Sequence, residues 1–365
     1  MTNNVTTSKL TDAGPKNRKA FSAASKVALG GVAVVFTILS STAAGAQVPL
    51  PAAPITITFP NPTSPNVPPF STVSATFGPS DGLLYVWDGV SVLKESASGT
   101  SVFNPFGSVP NTNSSDPGPI SFSSDGNQIL LGNGAGGNLG GTFNGMMFVM
   151  PKTGGAVSAP VGGTAPWHDA FVASPLSASQ FFINQGNASF SASSVSRYDL
   201  TSDIVKSVIQ NIPGAGASMA VQNGLLYADI GYGPQQGEIR SFALTQLNTA
   251  AANNSPLEWT AGTLFNSLNN NSGAGMFFDQ RRFLFVGGGD GVTVFDTIGN
   301  SRLYTNNGYS AVTYDSHNNA VLVTGYGDHQ GIYPASIFTV PEPSTAALAL
   351  VGLLLLPLRR RMRRR

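Results

Sequence analysis

From about residue 70 onward, short apolar runs alternate with breaks rich in Gly, Asn, Ser and Asp, in a recurring order. A strand-like run ends at a turn, an apolar run follows, then a polar loop, then a third run. The first copy reads Val73–Phe77, the turn Ser80-Asp81-Gly82, Leu83–Val86, the loop Trp87-Asp88-Gly89, and Val90–Leu93. A second has Ile120–Phe122, Ser124-Asp125-Gly126, Gln128–Leu131, a long glycine loop, and Met146–Met150. A fourth has Met219–Val221, Asn223-Gly224, Leu225–Ala228 and Glu238–Leu244. The fifth has Met276–Phe278, Asp279–Arg281, Phe283–Val286, the loop Gly287–Gly291, and Val292–Phe295. The sixth has Ala311–Tyr314, Ser316–Asn318, Ala320–Thr324 and Ile332–Phe338. The third, around Ala170–Leu200, is placed by position more than by pattern.

Turns in successive copies fall at Gly82, Gly126, near Leu176, Gly224, Arg281 and Asn318, in steps of 44, 50, 48, 57 and 37 residues. Units of roughly 40–50 residues with three or four strands each predict an all-β chain folded as a β-propeller of about six irregular blades. A β-sandwich also fits irregular alternating strands and stays open as the alternative. The sixth copy runs out at Thr339, before a fourth strand. Upstream, Gln47–Pro69 holds eight prolines in twenty-three residues and predicts a stiff, extended spacer. Within it, Ile55–Phe59 is built of β-branched and aromatic residues, reads as one strand, and is expected to supply the missing strand and close the ring.

The two ends follow a different logic. Residues 1–26 are polar and carry Lys16, Arg18, Lys19 and Lys26, Val27–Leu39 is apolar, and Ser40–Ala46 is built of small residues ending Ala44-Gly45-Ala46. That layout predicts a signal peptide over 1–46, with cleavage before Gln47 and export by the general secretion machinery, since no twin arginine occurs. At the other end, Val340 leads into Pro341-Glu342-Pro343, an apolar run Ala346–Leu358, and six arginines in the last seven positions. The two prolines hold the tripeptide extended. A transmembrane helix is expected over 345–358. Thirteen apolar residues at ~1.5 Å per residue give roughly 20 Å against a ~30 Å hydrocarbon core, so flanking residues must extend the span. Arg359, Arg360, Arg361, Arg363, Arg364 and Arg365 form a cytoplasmic membrane stop by the positive-inside rule.

Proline-glutamate-proline, a short apolar helix and a terminal arginine cluster, in that order, resemble the sorting tail of PEP-CTERM proteins, and the resemblance covers residues 340–365. It implies that Pro341, Glu342 and Pro343 are read by an exosortase-type membrane protease. It further implies an inner-membrane-anchored precursor that passes to the cell surface or extracellular matrix, and an association with exopolysaccharide. A plain, uncut membrane anchor is the alternative.

Removing both ends changes the charge. Residues 47–340 keep eight basic residues against sixteen acidic ones, a formal charge of −8, whereas the whole chain is +1. An acidic body of this kind argues against a nucleic-acid partner. The absence of cysteine excludes disulfides, thiolate nucleophiles and cysteine metal sites.

Motifs that carry chemistry are few. Gly132-Asn133-Gly134-Ala135-Gly136-Gly137 satisfies Gly-x-Gly-x-x-Gly, but more glycines follow where a dinucleotide site needs a helix, so it reads as an inter-strand loop. The three histidines, His168, His317 and His329, show no zinc-enzyme spacing, and no Gly-x-Ser-x-Gly elbow occurs. Trp167-His168-Asp169 and Asp328-His329 place an imidazole beside a carboxylate, which needs loop geometry to act as a base. In a propeller the loops between second and third strands share one face. Trp87, Asp88, Asp229, Tyr232, Asp290, Asp328 and His329 lie there, with Asn133, Asn138, Asn184, Gln185, Asn187 and Gln235. Amides and carboxylates next to aromatic rings suit sugars, and the carboxylates suit calcium. No catalytic residue, resident metal or other cofactor is expected. The function read from the sequence is a noncatalytic, exported matrix protein associated with glycan; the alternative is an extracellular propeller enzyme acting on a polysaccharide or lactone.

Overall fold

A computed structural model describes residues 46–59, 74–97, 102–109, 117–133, 146–157, 159–162, 170–186, 192–214, 218–231, 233, 235–268, 275–296, 301–305, 308, 310–325 and 331–338. Strand β1 (Ala46–Pro49) precedes six sheets. Blade one holds β2 (Ser74–Phe77), β3 (Leu84–Trp87), β4 (Ser91–Glu95) and β5 (Phe103–Ser108). Blade two holds β6 (Pro117–Phe122), β7 (Gln128–Asn133) and β8 (Met147–Pro151), after which β9 (Gly155–Ala156) turns back to pair parallel with β5. Blade three is β10 (Ala170–Ser177), β11 (Gln180–Gly186), β12 (Ser193–Asp199) and β13 (Ile204–Ile212). Blade four runs β14 (Met219–Gln222), β15 (Leu225–Asp229) and β16 (Glu238–Ala243). Helix α1 (Leu244–Asn253) follows, and β17 (Leu257–Glu258) pairs parallel with β13 before β18 (Thr263–Ser267) completes the sheet. Blade five has β19 (Met276–Phe278), β20 (Leu284–Gly288), β21 (Gly291–Phe295) and β22 (Ser301–Thr305), and blade six has β23 (Ser310–Asp315), β24 (Ala320–Gly325) and β25 (Gly331–Pro334). The first strands touch in the order β2, β6, β10, β14, β19, β23 and back to β2. The chain is a six-bladed β-propeller.

Alternation along the second strands explains why the ring forms. Ile129 and Leu131 pack toward blade one, while Leu130 between them packs toward blade three. The same division separates Leu84 and Val86 from Tyr85 and Trp87, and Val321 and Val323 from Leu322. A strand buried on both faces must read as an unbroken apolar run. Each of the six hydrophobic clusters fills one seam between neighbouring blades.

Turn chemistry sets the hairpins. Asn223 and Gly224 take φ of 51° and 76° in the two-residue link between β14 and β15, the left-handed backbone that Asn-Gly accepts at least cost. Helix α1 is carried by Ala250, Ala251 and Ala252 and ends at Asn254, which adopts the left-handed conformation as its C-cap. Leu247 and Ala251, four apart, face the seam between blades three and four, and Ala250 is buried beside them.

The N-terminal segment straps three blades. β1 pairs parallel with β22 on the outside of blade five, and the Leu50 N–H donates to the Thr305 carbonyl at 2.7 Å. The Tyr333 hydroxyl then donates to the Pro51 carbonyl at 3.1 Å, and the Ile332 N–H donates to the Ile55 carbonyl at 2.8 Å on blade six. Ile57 is buried with Phe77, Leu84, Val86 and Leu322 at the seam between blades six and one. Among the described residues, the stretch Ile55–Phe59 makes one bridge, Ile55 to Ile332, where a full strand is expected. Past that bridge Ile57 turns into the seam between blades six and one.

Candidate functional site

The side chains read as a ligand face divide into enclosed, exposed and undescribed positions. Trp87 is fully buried, and its indole N–H donates to the Gly132 carbonyl at 2.7 Å, joining blade one to blade two. Asp88 is buried, and its Oδ1 accepts the N–H groups of Val90 and Ser91 at 2.9 and 2.6 Å, capping the β3–β4 turn. Asp229 is buried, and its Oδ1 accepts the Ser218 N–H at 2.6 Å. Ser218 in turn accepts the Gly275 N–H on its hydroxyl at 2.9 Å, which carries the connection into blade five. Gly275 has a φ of 101°, and a Cβ there would meet the Val312 carbonyl oxygen at 2.1 Å, so blade six closes in as well. Asn184 is buried and donates to the Ser194 carbonyl at 3.2 Å. These groups build the frame from within and are not displayed on a face. Asp290 and Gln235 are exposed, in the turns before β21 and β16.

Tyr232, Asp328 and His329 lie outside the described residues, as do Asn138, Asn187, His168, Ala44, the sorting tripeptide Pro341-Glu342-Pro343, and the arginines from Arg359 to Arg365. Ala46 and Gln47 fall inside β1, so the expected signal cleavage point lies within the strap. His317 is exposed in the β23–β24 turn, where its backbone N–H donates to Asp315 at 2.9 Å. Among the described residues, no helix is long and apolar enough to cross a membrane and no group of three or more metal-ligating side chains occurs.

On the opposite face, first-to-second-strand turns repeat one device. Asp81, Asp125, Asp279 and Asp315 each accept a backbone N–H from the residues just after them. Burial pushes the Asp279 carboxyl above the usual range, with the bond from Phe283 acting against it. Exposed Asp125 is held below that range, first by the hydroxyl of Ser123. Glu95, buried at the seam with blade six, is pushed up by desolvation, to which the nearby Asp315 charge adds.

A concavity lies inside the ring. Its volume is about 580 Å³, and all six first strands contribute to its wall. Hydroxyls come from Thr76, Ser121, Ser174 and Thr313, on four different blades, and from Thr324 on β24. Phe277 and Tyr314 lie against each other across blades five and six, with ring centroids 5.0 Å apart and planes 6° from parallel. Among the described lining residues there is no Asp, Glu, His, Lys or Arg. Tyr314 is there, but its hydroxyl donates to Asn319 at 2.9 Å and accepts the Gln280 N–H at 3.0 Å, and burial pushes its pKa up. Sequence reasoning missed this wall, because single Ser and Thr positions in short strands carry no signal until the ring brings them together.

No family model and no curated protein matches the chain. Among solved structures it is similar to a gluconolactonase from Xanthomonas campestris, at 14% identity and a TM-score of 0.49 over 69% of this chain and 82% of that one. It is also similar to a protein assigned as TolB in Agrobacterium tumefaciens, at 13% identity and a TM-score of 0.48 over 70% and 90%. A chain of the nidogen/laminin complex follows, at 10% identity and a TM-score of 0.45 over 61% and 75%. None of these likenesses assigns a reaction, ligand or partner to this chain.

Proposed function

We propose that this chain is an exported, noncatalytic propeller of the bacterial cell surface or extracellular matrix, associated with exopolysaccharide and delivered through its C-terminal tail. The tail supplies the address: an exosortase-type protease reads Pro341-Glu342-Pro343 while the apolar run and arginine cluster hold the precursor in the inner membrane. The propeller supplies a rigid body. One observation supports the noncatalytic part of this reading: the two carboxylates buried near the second-strand turns are held by the backbone. General acid–base catalysis needs such groups within hydrogen-bond reach of one substrate. Asp88 and Asp229 instead accept backbone N–H groups.

The test is co-sedimentation of the purified chain with exopolysaccharide from its host, run beside an assay for release of reducing ends or lactone opening. Association without turnover supports the reading. Turnover of either substrate class, abolished by a single carboxylate substitution, contradicts it.

A further inference from the structure

We propose that the interior of the ring is a binding site for an uncharged saccharide. The proposal goes beyond the matrix role and rests on it only for the choice of probe. Its volume of about 580 Å³ lies within the ~300–1,000 Å³ typical of small-molecule sites.

The wall selects the ligand class by what it offers and what it lacks. Ser174 and Thr324 are 5% and 7% exposed and line the cavity, yet their hydroxyls have no protein hydrogen-bond partner among the described residues. Thr76 and Thr313, half-buried on the same wall, likewise have none. Among the described residues the first strand of each blade pairs with one strand, so backbone N–H and C=O groups on its other edge add donors and acceptors around the ring. An ion would enter without any countercharge on the described wall and would lose its hydration uncompensated. A wholly apolar ligand would cover these hydroxyls without giving them a partner. An uncharged sugar avoids both losses. Its hydroxyls both donate and accept, which matches wall hydroxyls spread over several blades.

The experiment is isothermal titration of the full chain, in a detergent without a sugar headgroup, with neutral disaccharides of glucose, galactose or mannose. Glucuronic acid serves as the charged probe. One neutral disaccharide is expected to bind, with glucuronic acid at least tenfold weaker. The double variant Thr76→Val, Thr313→Val keeps side-chain shape while deleting two wall hydroxyls, and is expected to weaken binding at least tenfold with an unchanged melting temperature. If the double variant does not fold, each single variant is titrated and is expected to weaken binding severalfold. Absence of binding by every neutral disaccharide, or equal affinity in wild type and variants, overturns the proposal. Tight glucuronic acid binding also overturns it. The matrix role is read separately by co-sedimentation: a chain that sediments with exopolysaccharide but admits no sugar loses this inference alone.

Discussion

The backbone N–H of Ile332 donates to the carbonyl of Ile55 at 2.8 Å, joining the last strand of the last blade to a segment some 280 residues earlier in the chain. The bond lies on the outer edge of blade six, while β1 pairs with blade five and Ile57 buries against blade one. One strap therefore crosses both seams of the blade that ends the chain's circuit.

Deleting residues 46–59 should destabilise the ring. Leu50 and Ile57 are each 2% exposed, and burying such side chains contributes about 1.5–3 kcal/mol apiece. With ~2–4 °C per kcal/mol for domains of this size, the melting temperature should fall by roughly 10 °C or more. Thermal unfolding checks this, and an unchanged melt would show that the blades close without the strap.

The strap passes directly over Gly331. A Cβ there would meet the Ile55 carbonyl oxygen at 2.2 Å and the Ala53 Cβ at 2.5 Å. Gly331→Ala should cost about 1–3 kcal/mol by forcing the strap outward. In the strap deletion the same substitution should be nearly silent, a non-additivity that a double-mutant cycle measures.

Asp229 and Asp290, both expected to face ligand, should behave oppositely. Asp229→Ala leaves the buried Ser218 N–H without its acceptor and should cost about 1–3 kcal/mol. Exposed Asp290→Ala should stay within about 0.5 kcal/mol of wild type. Denaturant titration of the two variants separates them.

Glu95 gives stability a pH dependence with a definite sign. Burial raises its folded pKa, so folding favours the protonated form. Its contribution is complete below the unfolded pKa and is lost as pH rises through the raised folded value. Glu95→Gln should raise the melting temperature at pH 7 to 8 relative to wild type, and the difference should vanish in mild acid. Equal melting at both pH values would remove Glu95 as the source.

The fold was legible wherever turn chemistry and apolar runs coincide. Ser80-Asp81-Gly82, Ser124-Asp125-Gly126 and Asn223-Gly224 mark true hairpin turns, and the runs Leu83–Val86, Gln128–Leu131 and Leu225–Ala228 mark second strands. Blade three has four long strands but was hard to see, because Ala178-Ser179 links β10 to β11 without Gly, Asn or Asp. Helix α1 and the parallel additions β1, β9 and β17 were missed, since two- to four-residue strands and an Ala-rich insert carry no period-2 pattern. The site was the least legible part. Trp87, Asp88 and Asp229 look like polar loop groups in sequence, and only burial shows that they bond inward. The interior hydroxyls are hidden for the opposite reason: the ring, not the local pattern, makes them neighbours.

Intact-mass analysis of the chain recovered from its native host, separated into membrane and medium fractions, tests export and tail processing most directly. A released form beginning at Gln47 and ending near Pro341–Pro343 is the expected result, with the strap from Gln47 onward retained. A form that keeps Arg365 and remains in the inner membrane would contradict it and make the tail a permanent anchor.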